Sequence, residues 1–206
     1  MRAYMAVVVM SYFVGSVPSG YLAGKARGID VRTLGSGNIG ATNAFRVLGK
    51  TAGTTVLLAD ALKGFVAARW LPLLVLQIFP GTAQRENLAL AAGVAVILGH
   101  NFTCWLNFKG GKGIATSAGV VLAWAPAAAL TALALWGLVF LATKFVSLAS
   151  IAAAIILPLA VWFFSGSGAM TLVMAALSTL AIVKHKGNIQ RLLNGTENRV
   201  GTKKSS

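Results

Sequence analysis

Apolar stretches alternate with short polar segments along the whole chain. A helix that crosses the roughly 30 Å hydrocarbon core of a bilayer needs about 20 residues, and most of the stretches approach that length. The pattern therefore predicts one polytopic domain over residues 1–206, an all-α integral membrane protein built as a bundle of seven transmembrane helices. The predicted spans are residues 3–23, 53–79, 88–106, 114–125, 127–143, 146–165 and 168–184, followed by a polar tail at 185–206.

The number of spans depends on the stretch from Ile114 to Phe164, which fits two long helices broken at Lys144 or three or four shorter ones. Positively charged loops tend to lie on the cytoplasmic side of a membrane. The loop that contains Lys109 and the tail can share that side only if an even number of crossings separates them. A turn at Pro126 gives four crossings here and seven in all. The N-terminus is then periplasmic, and the polar loops and the C-terminus are cytoplasmic.

Composition supports the membrane assignment. Hydrophobic residues make up 57% of the chain and charged residues 11%, with a mean hydropathy of +0.77, whereas a soluble domain has about a quarter charged residues. The 18 lysines and arginines exceed the 4 acids and give a formal net charge of +14. These cations lie between the apolar stretches, so they indicate topology and we expect no nucleic-acid partner. The cytoplasmic groups are Lys25, Arg27, Arg32, Arg46 and Lys50; Lys109 and Lys112; and Lys184, Lys186, Arg191, Arg199, Lys203 and Lys204.

The first polar loop contains the sequence GSGNIGATN, residues 35–43. Glycines permit left-handed backbone angles, and successive N–H groups can then converge on an anion. Asn38, Thr42 and Asn43 add side-chain donors and are candidates to cap the next helix, while the guanidinium of Arg46 suits a phosphate. The pattern favours an anion-binding loop, although a flexible linker also fits. A dinucleotide-binding loop is excluded, because the glycines follow no predicted strand.

The second polar loop, within residues 99–119, contains the sequence FKGGKG. Its glycines would let the backbone between Lys109 and Lys112 approach a phosphate, although the spacing is not that of a nucleotide-binding P-loop. A simple cytoplasmic turn also fits. The next predicted span is only about 18 Å long as a helix, so we expect the loop to dip below the membrane surface and Thr116 to lie in the first helical turns. His100 fits a hydrogen-bonded packing residue.

The tail carries polar residues at helical spacing. His185, Asn188 and Arg191 form one stripe of a helix if the last span continues. Anchoring to anionic lipid is the alternative, although it would need cations rather than this asparagine and glycine pattern. The three polar segments together predict a cavity for more than one phosphate group, because so many cations around a single phosphate would leave a buried positive excess.

The acids restrict the available chemistry. The chain has only Asp30, Asp60, Glu86 and Glu197, and Asp60 lies within a span, where we expect it to pair with Lys63. The chain offers no carboxylate pair of the glycosidase kind, no zinc-type cluster and no nucleophile elbow, so we expect no metal and no cofactor. An enzyme with these residues would need a substrate that already carries a good leaving group. An anion transporter or channel and a lipid-binding scaffold are the alternatives.

Five stretches of the chain resemble motifs of the bacterial acyl-phosphate:glycerol-3-phosphate acyltransferases, the PlsY family. They are GSVPSGYLAGK (15–25), GSGNIGATNAFRVLGK (35–50), GHNF with FKGGKGIAT (99–116), VSLAS (146–150) and HKGNIQRLLNGTEN (185–198). The resemblance implies a seven-helix enzyme of the bacterial inner membrane that moves a fatty acyl group from acyl phosphate to the 1-hydroxyl of glycerol 3-phosphate. The products would be lysophosphatidic acid and inorganic phosphate.

The resemblance also implies roles for individual residues. Around acyl phosphate it implies Gly37, Asn38, Gly40, Thr42 and Asn43, with Lys112 and Thr116 assigned to the same substrate although either site could use them. Around glycerol 3-phosphate it implies Ser36, Arg46, Lys109, Ser147, His185 and Asn188, of which Ser36, Lys109 and His185 are the catalytic candidates. Which loop holds which phosphate stays open. So does the base, which is either the donor's own phosphate or His185.

Overall fold

The computed structural model describes residues 1–201, which contain helices and no strand. Lys203 and Lys204, which were counted among the tail cations, lie outside the described residues. The chain divides into two compact units, Met1–Trp124 and Ala125–Ser206. The first unit carries both glycine-rich loops, and the second carries the tail.

The first unit contains seven α-helices. They are α1 (Arg2–Ser16), α2 (Ser19–Lys25), α3 (Ala41–Leu48), α4 (Lys50–Arg69), α5 (Leu71–Ile78), α6 (Arg85–Asn101) and α7 (Ile114–Trp124), with a short 3-10 helix at Cys104–Leu106. A proline disfavours helical angles in the residue before it and has no N–H to donate. Pro18 accordingly separates α1 from α2 inside what the sequence predicts as one span.

Glycines allow close backbone approach between two helix pairs of the first unit. A Cβ on Gly15 of α1 or on Gly99 of α6 would lie 2.1 or 2.2 Å from a carbonyl oxygen of the opposite helix. A Cβ on Gly64 of α4 or on Gly119 of α7 would lie 2.1 or 1.9 Å from such an oxygen. Small residues are the usual means of packing helices in a membrane, where lipid tails remove the hydrophobic drive between apolar surfaces.

As far as residue 201, the second unit contains four helices, α8 (Pro126–Thr143), α9 (Val146–Ser165), α10 (Gly168–Lys184) and α11 (Lys186–Leu193). Lys144 ends α8 in a left-handed conformation, with φ of 61°, and the chain reverses into α9. The Trp136 indole donates to the Ser150 hydroxyl over 3.2 Å and ties these two helices together. The axes of α10 and α11 differ by 56°, so the last helix bends at His185 and does not continue straight.

Each of the seven predicted spans is mostly helical in the structure. The helices differ from one another in length. Within residues 1–201, five segments are long and apolar enough to cross a bilayer: Arg2–Lys25, Lys50–Ile78, Arg85–Leu106, Pro126–Thr143 and Val146–Ser165. The bent pair α10–α11 makes six if it is one span. Helix α7 has 11 residues, which is short for a full crossing. The all-α fold is confirmed, and seven crossings stay a prediction.

Candidate active site

The loop before α3 is held in shape by one buried side chain, that of Asn43. Its amide nitrogen donates to the carbonyl oxygens of Val31 (2.9 Å) and Leu34 (3.1 Å), and its amide oxygen accepts from the Ser36 N–H (2.8 Å). Gly35, with φ of 62°, packs against the Asn43 amide oxygen. The structure therefore uses Asn43 to shape the loop, and a contact between its side chain and acyl phosphate stays a prediction.

The rest of this loop turns sharply into the N-terminus of α3. The Asn38 side-chain oxygen accepts from the Gly40 N–H over 2.8 Å, and Gly37 has φ of 69°. The prediction that Asn38, Thr42 or Asn43 caps α3 is wrong, since the capping residue is Gly40, which has no side chain to accept from the first-turn N–H groups of the helix. Ser36, Gly37 and Thr42 are exposed, so the outer rim of the loop is accessible.

Two arginines flank the loop and differ in their contacts. Arg32 forms a two-pronged ion pair with Asp30, at 2.9 Å for Nε–Oδ1 and 2.7 Å for Nη2–Oδ2, and its guanidinium lies 4.7 Å from the centre of the Tyr21 ring. The hydrogen bonds from Arg32 lower the pKa of the Asp30 carboxyl to about 2. Arg46 is exposed, and within residues 1–201 no acid pairs with it. Of the two flanking arginines, Arg46 is therefore the one whose charge can act on a bound anion.

The two glycine-rich loops rest on a shared apolar cluster. Ile39 of the first loop and Leu106 of the 3-10 helix are buried in it. Its other buried members are Val31, Ala44, Leu48, Ala52 and Val56. Both loop regions of the first unit therefore contribute a buried residue to the same apolar cluster, and a common binding site for the two loops stays a prediction.

The chain reaches Lys109 through two left-handed residues. Asn107 and Phe108 have φ of 52° and 59°, a conformation that costs a bulky residue roughly 1–3 kcal/mol. The Phe108 N–H donates to the Thr103 carbonyl over 2.9 Å, and the Lys109 N–H donates to the Leu106 carbonyl over 3.0 Å. Strained backbone often occurs at binding sites. Here the left-handed backbone at Asn107 and Phe108 precedes Lys109, whose side chain is exposed.

The glycines after Lys109 pack on the end of α6. The Gly110 N–H donates to the Asn101 carbonyl over 3.2 Å, and the Gly111 N–H donates to the His100 carbonyl over 3.0 Å. A Cβ on Gly111 would lie 2.2 Å from His100 Nε2. The sequence analysis explains these glycines by close approach to a ligand. The structure shows instead that Gly110 and Gly111 permit close approach to α6.

The residues that follow are less exposed. Lys112 is half-buried. Thr116 lies in the first turns of α7, as predicted, and is fully buried. Its hydroxyl makes no hydrogen bond within residues 1–201. The proposed contacts of both residues with a phosphate stay predictions.

A buried polar cluster lies among the helices of the first unit. Lys63 Nζ is 2.8 Å from Asp60 Oδ1, which confirms the predicted pair. The Ser19 hydroxyl donates to the same carboxylate oxygen over 3.0 Å, and His100 Nδ1 lies 3.6 Å from it. Sequence reasoning missed Ser19, and it interpreted His100 as a packing histidine without identifying its partner.

In the second unit, two of the three candidate residues, Ser147 and Asn188, bind the carboxylate of Glu197. This carboxylate accepts from the Ser147 hydroxyl (2.8 Å), the Asn188 amide (2.7 Å) and Arg191 Nε (2.7 Å). Ser147, Asn188 and His185 are all buried. Glu197 connects the tail to the start of α9 and holds Ser147 and Asn188 at one point.

Sequence reasoning did not assign a role to Glu197. The available signal was that Glu197 is an isolated acid in a basic tail. Its side chain is 7% exposed. Burial alone raises the pKa of this carboxyl, but the hydrogen bonds from Asn188, Ser147 and Arg191 outweigh burial, so the pKa lies below its ordinary value.

Comparison with known proteins identifies a family for most of the chain. A family model described as glycerol-3-phosphate acyltransferase matches residues 5–195. A Fusobacterium nucleatum protein named glycerol-3-phosphate acyltransferase is 44% identical over 202 residues, covering 96% of this chain and 98% of the relative. A Geobacter sulfurreducens protein of the same name is 44% identical over 193 residues, covering 94% and 95%.

Two solved structures are also similar. Both are crystal structures of PlsY (YgiH), an integral membrane glycerol 3-phosphate acyltransferase, one described as the glycerol 3-phosphate form and the other as the lysophosphatidic acid form. They superpose with TM-scores of 0.87 and 0.84 at 38% sequence identity. Each match covers 97% of this chain and 96% of the solved chain.

Proposed function

Because the chain belongs to the glycerol-3-phosphate acyltransferase family, we propose that it transfers a fatty acyl group from acyl phosphate to the 1-hydroxyl of glycerol 3-phosphate. The products are lysophosphatidic acid and inorganic phosphate. The observation that carries the proposal is the pair of glycine-rich loops that contribute to one apolar cluster, with Lys109 and Lys112 in the second loop and Arg46 on α3 after the first. This membership favours an enzyme over the transporter and scaffold alternatives.

Both proposed substrates carry a phosphate, so the site must hold two anions close together. The glycines and the exposed Ser36 and Thr42 of the first loop suit one phosphate. Arg46 and Lys109 are both exposed, so their charges can face a ligand. An arginine fork binds a phosphate with two hydrogen bonds, and a lysine acts as a point charge.

The residue assignments follow the resemblance and the placement of the side chains. Acyl phosphate is assigned to Gly37, Asn38, Gly40, Thr42, Asn43, Lys112 and Thr116. The resemblance assigns glycerol 3-phosphate to Ser36, Arg46, Lys109, Ser147, His185 and Asn188. Exposure supports the first-unit residues Ser36, Arg46 and Lys109, and the shared contact with Glu197 supports Ser147 and Asn188.

The proposed reaction is one acyl transfer. The 1-hydroxyl oxygen of glycerol 3-phosphate attacks the carbonyl carbon of acyl phosphate and forms an ester bond. The bond from that carbon to the phosphate oxygen breaks, and phosphate leaves with the electron pair. Holding two reactants side by side supplies a large part of the rate gain. Lysine and arginine stabilise the charge that develops on the carbonyl oxygen and on the leaving phosphate.

The proton of the attacking hydroxyl has two possible acceptors. A phosphate ester ionises near neutral pH, so the departing phosphate can take the proton, and we propose this route. His185 is the alternative. Its Nδ1 lies 2.8 Å from the Ala181 carbonyl, which can only accept, so Nδ1 carries hydrogen and Nε2 is the basic nitrogen of the neutral ring.

Replacing His185 with alanine distinguishes the two routes. If the leaving phosphate takes the proton, His185→Ala raises KM for glycerol 3-phosphate and lowers kcat by less than about tenfold, because general-base catalysis contributes roughly 100-fold or more where it operates. Steady-state kinetics at saturating acyl phosphate measure both constants. Loss of turnover with unchanged glycerol 3-phosphate binding would establish His185 as the base.

The proposed function is tested with pure protein in detergent. Incubation with palmitoyl phosphate and labelled glycerol 3-phosphate should give labelled lysophosphatidic acid and one phosphate per acyl group. Palmitoyl-coenzyme A in place of palmitoyl phosphate is the matched control and should give no product. Product from the coenzyme A ester but not from the acyl phosphate would overturn the proposed donor.

We further propose seven crossings in the bacterial inner membrane, with a periplasmic N-terminus, a cytoplasmic C-terminus and a cytoplasmic active site. The cations of the two loops and the tail support this orientation. In sealed vesicles of known orientation, a charged thiol reagent added on the cytoplasmic side should modify Cys104, the single cysteine of the chain. Modification only from the periplasmic side would reverse the orientation.

A further inference from the structure

The buried cluster around Asp60 has no place in the proposed chemistry. Asp60, Lys63 and His100 are 2%, 8% and 5% exposed, and they lie in segments that are long and apolar enough to cross a membrane. Lys63 Nζ also donates to the Val17 carbonyl over 2.9 Å, where Pro18 interrupts the first span. The cluster thus connects the break between α1 and α2 with α4 and α6.

Stability alone does not account for this cluster. Ionisable groups are costly inside a membrane, and by default they indicate a function. Replacing a buried ion pair with apolar residues of similar volume is often neutral or stabilising. The contacts that His100 and Ser19 make outside the cluster indicate what this function is.

On one side, the cluster reaches the second loop. The His100 ring has Nδ1 3.6 Å from Asp60 Oδ1, and its Nε2 abuts Gly111, where a Cβ would lie 2.2 Å away. The His100 carbonyl also accepts from the Gly111 N–H over 3.0 Å. Gly111 directly precedes Lys112. The position of the lysine-bearing loop therefore depends on how the His100 ring is held.

On the other side, the cluster reaches the first loop. Ser19 donates to Asp60 over 3.0 Å and begins α2. The next residue, Gly20, packs so closely that a Cβ would lie 1.9 Å from the carbonyl oxygen of Ile39. Ile39 lies between Asn38 and Gly40 of the glycine-rich loop. One carboxylate is therefore linked, by one short chain of contacts on each side, to both loops.

We propose that Asp60 and His100 are positioning residues that fix the spacing between the two loops and hence between the two reactants. The inference rests on the proposed function, because the spacing matters only if the loops hold reacting groups. An acyl transfer between two bound molecules is sensitive to their separation, and a misplacement of about 1 Å can cost about 100-fold in rate. Binding of each substrate to its own loop is much less sensitive to the separation.

The kinetic test uses Asp60→Asn, His100→Gln and Ser19→Ala, with Ser11→Ala as the matched control. Ser11 is fully buried in α1, and its hydroxyl makes no hydrogen bond within residues 1–201. We expect kcat to fall at least about tenfold in Asp60→Asn and His100→Gln, with both KM values within about threefold of the wild type. Ser19→Ala should show a smaller loss of the same kind, and Ser11→Ala should show none.

A double-mutant cycle separates a shared network from two unrelated losses. The combined Asp60→Asn, His100→Gln variant should lose little more kcat than either single variant, because residues of one network do not act additively. Asp60→Asn with Lys63→Met removes both charges of the ion pair and serves as the second variant should Asp60→Asn fold poorly. It should show the same loss of kcat.

A second measurement needs no turnover. Cys104 begins the 3-10 helix between α6 and Lys109 and is half-buried. We expect a small maleimide to modify Cys104 at least about threefold faster in Asp60→Asn and His100→Gln than in the wild type and Ser11→Ala, because loosened docking of the second loop raises the open population. If the wild type makes no lysophosphatidic acid, the proposed function fails, and the labelling rates still test the network.

Two outcomes would overturn the inference. One is unchanged labelling and unchanged kcat in Asp60→Asn and His100→Gln. The other is a parallel rise in both KM values together with a lowered unfolding temperature, which would indicate a role in stability only. Faster labelling with a fall in kcat at nearly constant KM supports it.

Discussion

Replacing Arg46 with alanine should lower kcat/KM for acyl transfer by at least about 100-fold, which is the scale of losing one preorganised charge-stabilising donor. Arg46 is exposed in the last turn of α3, the helix that follows the first loop, and no acid of residues 1–201 pairs with it. Arg46→Lys should recover only part of the loss, because a lysine keeps the charge without the planar fork that binds two phosphate oxygens. Steady-state kinetics with both substrates varied measure the effect.

Arg32→Ala is the matched control for this prediction. Arg32 flanks the same loop, but its guanidinium is already engaged with Asp30 and Tyr21. An exposed ion pair contributes little to stability, so we expect a change of less than about threefold in kcat/KM. Equal losses in Arg32→Ala and Arg46→Ala would mean that general positive charge, and not a specific contact of Arg46, supports the reaction.

Replacing Glu197 with glutamine should lower kcat/KM for glycerol 3-phosphate by about 50-fold, within the range expected for losing hydrogen bonds to a charged group. Three donors, from Ser147, Asn188 and Arg191, converge on this carboxylate. A glutamine has one acceptor oxygen, and its amide nitrogen would face one of these donors. Ser147 and Asn188, both proposed to contact glycerol 3-phosphate, would lose their common support.

Glu86→Gln is the matched control, because Glu86 is exposed in the first turn of α6. It should leave kcat/KM within about twofold of the wild type. Kinetics and thermal unfolding of both variants in the same detergent make the comparison. An effect of Glu197→Gln no larger than that of Glu86→Gln would contradict the role given to the Glu197 carboxylate.

The pH dependence of the unfolding temperature provides a second test of the Glu197 interactions. Its folded-state pKa is depressed below the ordinary value of 4.5, so the unfolded chain binds this proton more readily than the folded chain. The stabilisation is fully present above about pH 4.5 and is lost as the pH falls through the lowered folded-state pKa. Between about pH 4.5 and the lowered folded-state pKa, the unfolding temperature of the wild type should therefore fall more steeply on acidification than that of Glu197→Gln.

Much of the fold and of the candidate site could be predicted from patterns of neighbouring residues in the sequence. Hydropathy located the long apolar helices but not the short α3 and α11, because burial in lipid requires long runs of apolar residues. The Asp60–Lys63 pair followed from the (i, i+3) spacing, which places two side chains on one face of a helix. The loops were identified by glycines and amides that are close in sequence. In each case, the interacting groups lie within a few residues of one another.

The remaining contacts are long-range and could not be predicted from local patterns. Ser147 and Glu197 are 50 residues apart and Ser19 and Asp60 are 41 residues apart. Each of these contacts depends on how separate helices pack, and the first also accompanies the bend at His185. The same limit explains why Gly111 was interpreted as a ligand-facing glycine. Its neighbour is a histidine ring on the preceding helix, brought close by the reversal at Asn107 and Phe108.

The buried Asn43 amide has a consequence for how fast an anion can bind. Three hydrogen bonds, two donated and one accepted by the Asn43 side chain, fix the shape of the first loop. An anion that enters such a preorganised nest has little loop freedom to restrict on arrival. Association should therefore follow a single exponential whose rate rises linearly with ligand concentration, without the plateau that a slow rearrangement of the loop would impose.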